Sequence, residues 1–304
     1  MVNKLLIICG PTATGKTKLG VELAKKMEGE IVSADSRQVY RGMDIGTGKD
    51  ISIDGVKPWL LDIVEPDYRF NVADYKKCAD RVLADIWGRG KLPIVVGGTG
   101  FYIKAVTEKI ETIGIGPDWE LRAKLSNYQI NELQIALERL DPKRSRGMNE
   151  SDRQNPRRLI RAIEIAQETK NQKPKTKNTS KILKTNTLLV GLKVPNDILY
   201  QRIDQRVEAR VEAGLEDEIK SLLKKGYTWE NSALGTTLAY KQWRDYFENR
   251  KTKEEVILSW KFDEHGYARR QMTWFKKNKK INWFDIANDG WQVKVEKMVN
   301  NWYS

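Results

Sequence analysis

Cysteine and histidine are nearly missing from this chain, which holds two cysteines and a single histidine in 304 residues. Cys9 lies in an apolar run and Cys78 in a helical pattern, so no paired spacing suggests a disulfide framework, and the lone His265 excludes the usual His-rich zinc sites. Reduced thiols of this kind fit a cytoplasmic protein. Long apolar runs are missing too. None approaches the ~20 residues that span a bilayer, so no membrane partner is expected. The first apolar stretch, Leu5 to Cys9, is too short for a secretion signal and runs into Gly10-Pro11 without a small-residue cleavage site, which makes it a first strand. No internal repeat is visible. A chain of this length builds its core without staples, as one large or two ordinary domains.

What the chain does have is positive charge, with 54 Lys and Arg against 41 Asp and Glu for a net +13. The excess is clustered. Lys143, Arg144, Arg146, Arg153, Arg157, Arg158 and Arg161 lead into a lysine-rich stretch ending at Lys184, and a second cluster runs from Arg269 to Lys280. Clustering of this kind is the electrostatic footprint of a protein that docks on a phosphate backbone; a merely solvated basic face is the alternative.

From Lys4 onward short β-rich runs alternate with helical patterns, which predicts an α/β fold with a parallel sheet flanked by helices. The predicted strands are residues 5–9, 31–34, 94–96 and 188–192. Leu19, Leu23 and Met27 mark one covering helix, and Val82, Leu83 and Ile86 another. After Val106 the pattern becomes charged and helical through Ala166, then polar from Thr169 to Thr185. We therefore expect a core of residues 1–111 and 186–304, interrupted by a mostly helical, basic insertion over 112–185 that contacts the polyanion. Leu199, Ile203, Val207, Val211, Leu215 and Ile219 recur at every fourth position and predict one long helix, with Arg202, Arg206 and Arg210 on a different face. The last third is rich in tryptophan, mostly for packing, with one or two available to stack on bases.

Gly10-Pro11-Thr12-Ala13-Thr14-Gly15-Lys16-Thr17 follows a strand and opens a helix, the context in which G-x-x-x-x-G-K-[ST] is a P-loop. Backbone N–H groups and the helix N-terminus cradle phosphate oxygens, Lys16 adds a point cation, and the Thr17 hydroxyl is a candidate Mg²⁺ ligand. The motif specifies a di- or triphosphate without saying which. Asp35, just after the second strand, should stand at the C-terminal edge of the sheet where ligands bind, for acid–base work or as the N-cap of a following helix. Thr99, in Val96-Gly97-Gly98-Thr99-Gly100, should reach the same edge. Close approach of a ligand to the backbone explains its three flanking glycines better than a plain turn does.

These segments, in this order, resemble the tRNA dimethylallyltransferases, also called tRNA isopentenyltransferases. The resemblance continues through Asp44-Ile45-Gly46-Thr47-Gly48-Lys49, Asn155 to Glu164, the helix from Arg206 to Gly214, and Ala268 to Phe275. It implies transfer of dimethylallyl from its diphosphate to N6 of adenosine 37, beside the anticodon, in tRNAs reading codons that begin with U. Carried over by position, the loop from Gly10 to Thr17 binds the diphosphate, with Lys16 and Arg206 as its cations and Thr17 on Mg²⁺. Asp35 takes the N6 proton and Thr99 sits across the reacting centre. Ser36, Arg37, Gln38, Arg157, Arg158, Leu159, Ile160 and Arg161 contact tRNA, as does Asp35. The enzyme is expected to act as a monomer.

Three departures from the family pattern are Pro58-Trp59 before Leu60-Leu61-Asp62, Ala239 before Tyr240-Lys241, and Asp50 after Lys49. None touches Lys16, Asp35 or Thr99, although they bear on pocket shape and tRNA docking. No C-terminal Cys/His finger of the eukaryotic relatives follows, so the resemblance is to the bacterial type. Two other readings compete. A P-loop small-molecule or nucleotide kinase leaves the basic insertion unexplained, and an RNA-binding NTPase without transferase activity gives Asp35 beside Thr99 no task.

Overall fold

The computed structural model describes residues 2–49, 54–171 and 185–304, so Asp50 and most of the polar segment expected over 169–185 lie outside the described residues. In chain order the elements are β1 (Asn3–Cys9), α1 (Lys16–Lys26), β2 (Glu30–Ser33), α2 (Val72–Gly88), β3 (Pro93–Gly97) and α3 (Gly100–Thr107). Then come α4 (Trp119–Leu125), α5 (Ile130–Leu140), α6 (Pro142–Gly147), α7 (Glu150–Arg153) and α8 (Pro156–Asn171). The chain returns through β4 (Thr185–Lys193), α9 (Asn196–Glu212), α10 (Leu215–Lys224), α11 (Leu238–Phe247), α12 (Lys253–Phe275), β5 (Asn282–Asp285) and α13 (Trp291–Tyr303). Two compact units result, residues 1–108 with 183–304, and residues 109–182. No helix among the described residues is long and apolar enough to cross a membrane.

In the first unit all five strands are parallel, in the order β2-β3-β1-β4-β5. The central strand β1 is apolar throughout its buried length because both its faces are covered. Leu5, Ile7 and Cys9 pack with Tyr75, Ala79, Leu83 and Ile86 of α2, while Leu6 and Ile8 pack with Leu19 and Leu23 of α1 and with Val295 and Val299 of α13. A capping box fixes the start of α2: the Asn71 side chain accepts from the N–H of Ala73 and Asp74, and Asp74 accepts from the N–H of Asn71. The fifth strand was not anticipated from sequence. It is four residues long, Asn-Trp-Phe-Asp, and comes one residue after a lysine-rich stretch ending at Lys280.

The long helix expected from Leu199 to Ile219 is two helices, α9 and α10, divided at Gly214, whose φ of 96° is left-handed. The reason is geometric: each four-residue step turns about 40° past a full helical turn, so six repeats cannot face one core on a straight helix. Breaking at Gly214 lets Leu215 and Ile219 join the cluster that already holds Leu199, Ile203 and Val207. Of the late tryptophans, Trp243 and Trp260 are fully buried in that cluster, whereas Trp274 is 41% exposed.

The second unit is a small helical body with its own core of Leu125, Leu133, Leu137, Leu159, Ala162, Ile163 and Ala166. Within it Glu164 is buried and accepts from the guanidinium groups of Arg122 and Arg161. Burial alone would raise its carboxyl pKa, but the two arginines outweigh that and hold it below the usual range. Arg161 also donates to the backbone carbonyls of Thr112 and Ile115 at 3.2 and 2.7 Å, closing the turn that leads into the unit.

Candidate active site

The loop after β1 bends through three left-handed residues, Gly10 (φ 137°), Ala13 (φ 61°) and Gly15 (φ 78°), before α1 begins at Lys16. A Cβ at Gly10 would lie 2.3 Å from the carbonyl oxygen of Leu192, so only glycine fits against β4 there. Buried Thr14 ties the loop to itself, donating to the Pro11 carbonyl at 2.9 Å. The Lys16 ammonium also donates to the Pro11 carbonyl, at 2.7 Å. Burial, and then the neighbouring charge of Arg206, push its pKa down to about 8.

The loop is held from the far end of the chain. Gln271 on α12 accepts from the Thr12 N–H at 2.9 Å and donates to the Gly98 carbonyl at 3.0 Å, bridging the P-loop to the turn after β3. This corrects the expectation for the glycines around Thr99, because the atoms that come close belong to the protein itself. A Cβ at Gly97 would lie 2.2 Å from the Ala34 carbonyl oxygen, one at Gly98 2.2 Å from the Gln271 side chain, and one at Gly100 2.0 Å from the Trp274 ring.

Asp35 stands just past the C-terminal end of β2, and no helix follows it. Its Oδ1 accepts from the Arg37 N–H at 2.8 Å, which caps a turn and rules out the helix N-cap alternative. Thr99 accepts from the Ser36 N–H at 3.0 Å and hydrogen-bonds Tyr267. It therefore stands behind Ser36 and Tyr267, which themselves line the cavity.

That cavity, of about 390 Å³, lies at the carboxyl ends of the strands, as expected for a parallel sheet. Thr12, Lys16, Thr17, Asp35, Ser36, Arg37 and Gln38 line one side, and Arg206, Arg210, Glu264, Tyr267, Arg270 and Gln271 another. Five cations thus face two carboxylates, a field that favours a polyanion. Arg206 donates to the Thr12 hydroxyl at 2.8 Å, fixing a cation against the P-loop. Arg210, one turn on, donates to the Gly46 carbonyl at 3.3 Å and leaves its Nε without a partner. Burial and the charge of Arg206 push Arg210 down to about 10. Arg202, predicted on the same face, is exposed and does not line this cavity.

The segment Asp44–Lys49 is fixed by buried charge. Glu218 accepts from the N–H groups of Asp44, Ile45 and Gly46 at 2.8, 2.7 and 3.1 Å, and from the Tyr240 hydroxyl at 2.6 Å. Lys49, its side chain fully enclosed, pairs with Asp44 and Asp62 and donates to the Tyr40 carbonyl. The segment so anchored offers the Gly46 and Gly48 carbonyls to Arg210 and Arg206. Of the departures from the family pattern, Ala239 is buried on the cavity wall, while the Trp59 indole donates to Glu30 away from it.

Residues 38–278 match the protein family described as IPP transferase, and residues 3–55 that described as isopentenyl transferase. The tRNA dimethylallyltransferase of Pediococcus pentosaceus is 39% identical over 310 residues, covering 99% of this chain and 97% of the relative. The chain belongs to the tRNA dimethylallyltransferase family. Among solved structures, the full-length tRNA isopentenylpyrophosphate transferase from Bacillus halodurans is similar at 37% identity and a TM-score of 0.73, covering 99% of this chain and 96% of that one. A eukaryotic dimethylallyltransferase acting on tRNA has 26% identity and a TM-score of 0.78, covering 98% and 77% respectively.

The family's arginine segment carries one correction. Leu159, expected to touch tRNA, is 1% exposed in the core of the second unit, because the helix that presents Arg157 and Arg158 outward must bury its opposite face. Ile160 packs partly against that core, Arg158 pairs with Asp152, and Arg161 is occupied by Glu164 and the turn carbonyls. Only Arg157 of the three arginines is exposed and without an ion pair among the described residues.

No group of three or more His, Cys, Asp or Glu among the described residues could hold a metal ion. Thr17 lines the cavity beside Lys16, and its hydroxyl has no hydrogen-bond partner among the described residues. One hydroxyl next to a phosphate cradle suits Mg²⁺, which takes few protein oxygens, keeps waters and draws its other ligands from phosphates.

Proposed function

We propose that this chain transfers the dimethylallyl group of dimethylallyl diphosphate to N6 of adenosine 37, in tRNAs that read codons beginning with U. The observation that carries this reading is the meeting of Asp35 with Lys16 and Arg206 in one cavity at the strand ends. The diphosphate lies on the loop from Gly10 to Thr17. As the allylic C–O bond breaks and its electron pair passes to the leaving diphosphate, negative charge grows where Lys16 and Arg206 are already fixed. Thr17 would hold Mg²⁺ beside the phosphate cradle, and the ion would supply further charge neutralisation there.

N6 of adenine is a weak nucleophile because its lone pair is delocalised into the ring. Asp35 accepts the N6 proton as the N–C bond forms, a role worth typically about 10²–10⁴-fold in rate. The base reaches the cavity by leaving its stack in the anticodon loop, where Ser36, Arg37 and Gln38 stand beside it. Thr99 positions this edge through Ser36 and Tyr267. Arg157 and Arg158 approach the tRNA backbone. The enzyme works as a cytoplasmic monomer.

The decisive experiment is mass spectrometry of nucleosides from tRNA incubated with the protein, Mg²⁺ and dimethylallyl diphosphate in the absence of ATP. An adenosine heavier by one isopentenyl unit is expected, with inorganic pyrophosphate inhibiting as a product. A strict need for ATP, or phosphate release matching product formation, would return the kinase reading to first place.

A further inference from the structure

The catalytic cavity uses Glu264, Tyr267, Arg270 and Gln271 of α12, and the end of the same helix faces a second cleft of about 470 Å³. Four lysines line it: Lys104 of α3, and Lys277, Lys279 and Lys280 just beyond α12. Lys104 has only a loose contact with Glu108 at 3.7 Å, and the other three make no ion pair among the described residues. This differs from much of the surface, where basic side chains are neutralised in pairs and networks such as Arg89 with Glu30 and Asp85. Unpaired cations gathered on one concavity repel one another, and a bound polyanion relieves that repulsion.

The cleft also has an aromatic wall. Trp274 is 41% exposed and Phe101, its edge-on neighbour at 6.2 Å, is 42% exposed. Gly100 makes this possible, since any Cβ there would collide with the indole. The ring is thus seated on backbone with part of its surface turned to solvent, between the turn that carries Thr99 and the lysines. A fixed aromatic face beside a basic cleft is the arrangement that holds unstacked bases and their phosphates.

We infer that this cleft is a second RNA subsite, in which Trp274 stacks on a base near the reacting adenosine and Lys277, Lys279 and Lys280 neutralise the adjoining backbone. The inference rests on the transferase reading for the identity of the RNA. It commits to single-stranded RNA, because a flat aromatic face takes bases that are not already paired.

The test compares the full-length protein with the Lys277→Ala, Lys279→Ala, Lys280→Ala triple variant and with Trp274→Ala and Trp274→Phe. For the triple variant the slope of log affinity for tRNA against log salt should fall by about two units, at single-strand strength. Its kcat at saturating tRNA and its pyrophosphate affinity should stay unchanged. Trp274→Ala should weaken tRNA binding by about tenfold and Trp274→Phe by much less, because a smaller ring still stacks. Thermal melting identifies any variant that merely misfolds. An anticodon-stem hairpin should compete for the site better than a blunt duplex of equal length. Unaltered salt slope and tRNA affinity in the folded triple variant would overturn the inference. Absence of isopentenyladenosine with the unsubstituted protein would overturn the functional reading instead, while the binding arms still report on the cleft.

Discussion

Asp35 can be tested without disturbing its surroundings, because its turn needs only an oxygen that accepts from the Arg37 N–H. Asn supplies that oxygen and Ala does not. We expect Asp35→Asn and Asp35→Ala to lose turnover alike, by about 10²–10⁴-fold, and only Asp35→Ala to loosen the turn. A normal rate for Asp35→Asn in a single-turnover assay would remove the general base from the mechanism. Lys16 invites the opposite experiment. Its folded pKa of about 8 lies below its ordinary 10.5, so the folded protein carries a buried charge that the unfolded chain carries in water. That penalty is complete below pH 8 and fades between pH 8 and 10.5, where the unfolded state binds the extra proton and stability rises with pH. Lys16→Met should therefore be inactive yet melt higher than the parent at pH 7, with the advantage shrinking as pH approaches 10.5. A lower melting temperature for Lys16→Met at pH 7 would mean that the bond to Pro11 outweighs the buried charge.

At the scale of elements, Gly214 gives the cleanest test, since a Cβ there would meet nothing within 4 Å and the φ of 96° is the only obstacle. Gly214→Ala should cost about 1–2 kcal/mol, the strain of a left-handed non-glycine residue, read as a shifted urea midpoint with an unchanged slope. The same glycine marks a limit of sequence reading. Four strands, both sheet-covering helices and the P-loop were legible, because burial on two faces leaves unbroken apolar runs and a phosphate loop demands glycine at fixed positions. The break between α9 and α10 was hidden by an apolar spacing that runs through it. The strand β5 was too short and too polar to register beside its lysines. Gln271 lay inside the resembling segment from Ala268 to Phe275 but without a role, and Glu218 carried no signal, since their hydrogen bonds reach 259 and 174 residues back along the chain. Arg210 had a signal, one turn from Arg206, but periodicity could not say that Arg202 points elsewhere.

At the scale of the whole molecule, two arginines of the helical unit should answer differently to removal, one through tRNA binding and the other through stability. Arg157→Ala should leave stability alone and lower the salt slope of tRNA binding by about 0.7–0.9. Arg161→Ala strips a partner from buried Glu164 and uncaps two carbonyls, so it should destabilise residues 109–182 by about 2 kcal/mol, read as earlier amide exchange in that unit. Equal behaviour of the two variants would mean that the arginine segment acts as one solvated face. The bond from Gln271 to the Thr12 N–H has a consequence for how the protein is born. Ribosomes add about 5–20 residues per second, so the phosphate loop is synthesised roughly 10 to 50 seconds before the side chain that holds it. Strand β1 waits as well for β4, its partner on one edge, which follows only after the whole helical unit has been translated. A nascent chain therefore carries an apolar strand with an open edge and no finished cradle. Its own ligand cannot protect that edge or complete the cradle until the last helices have emerged.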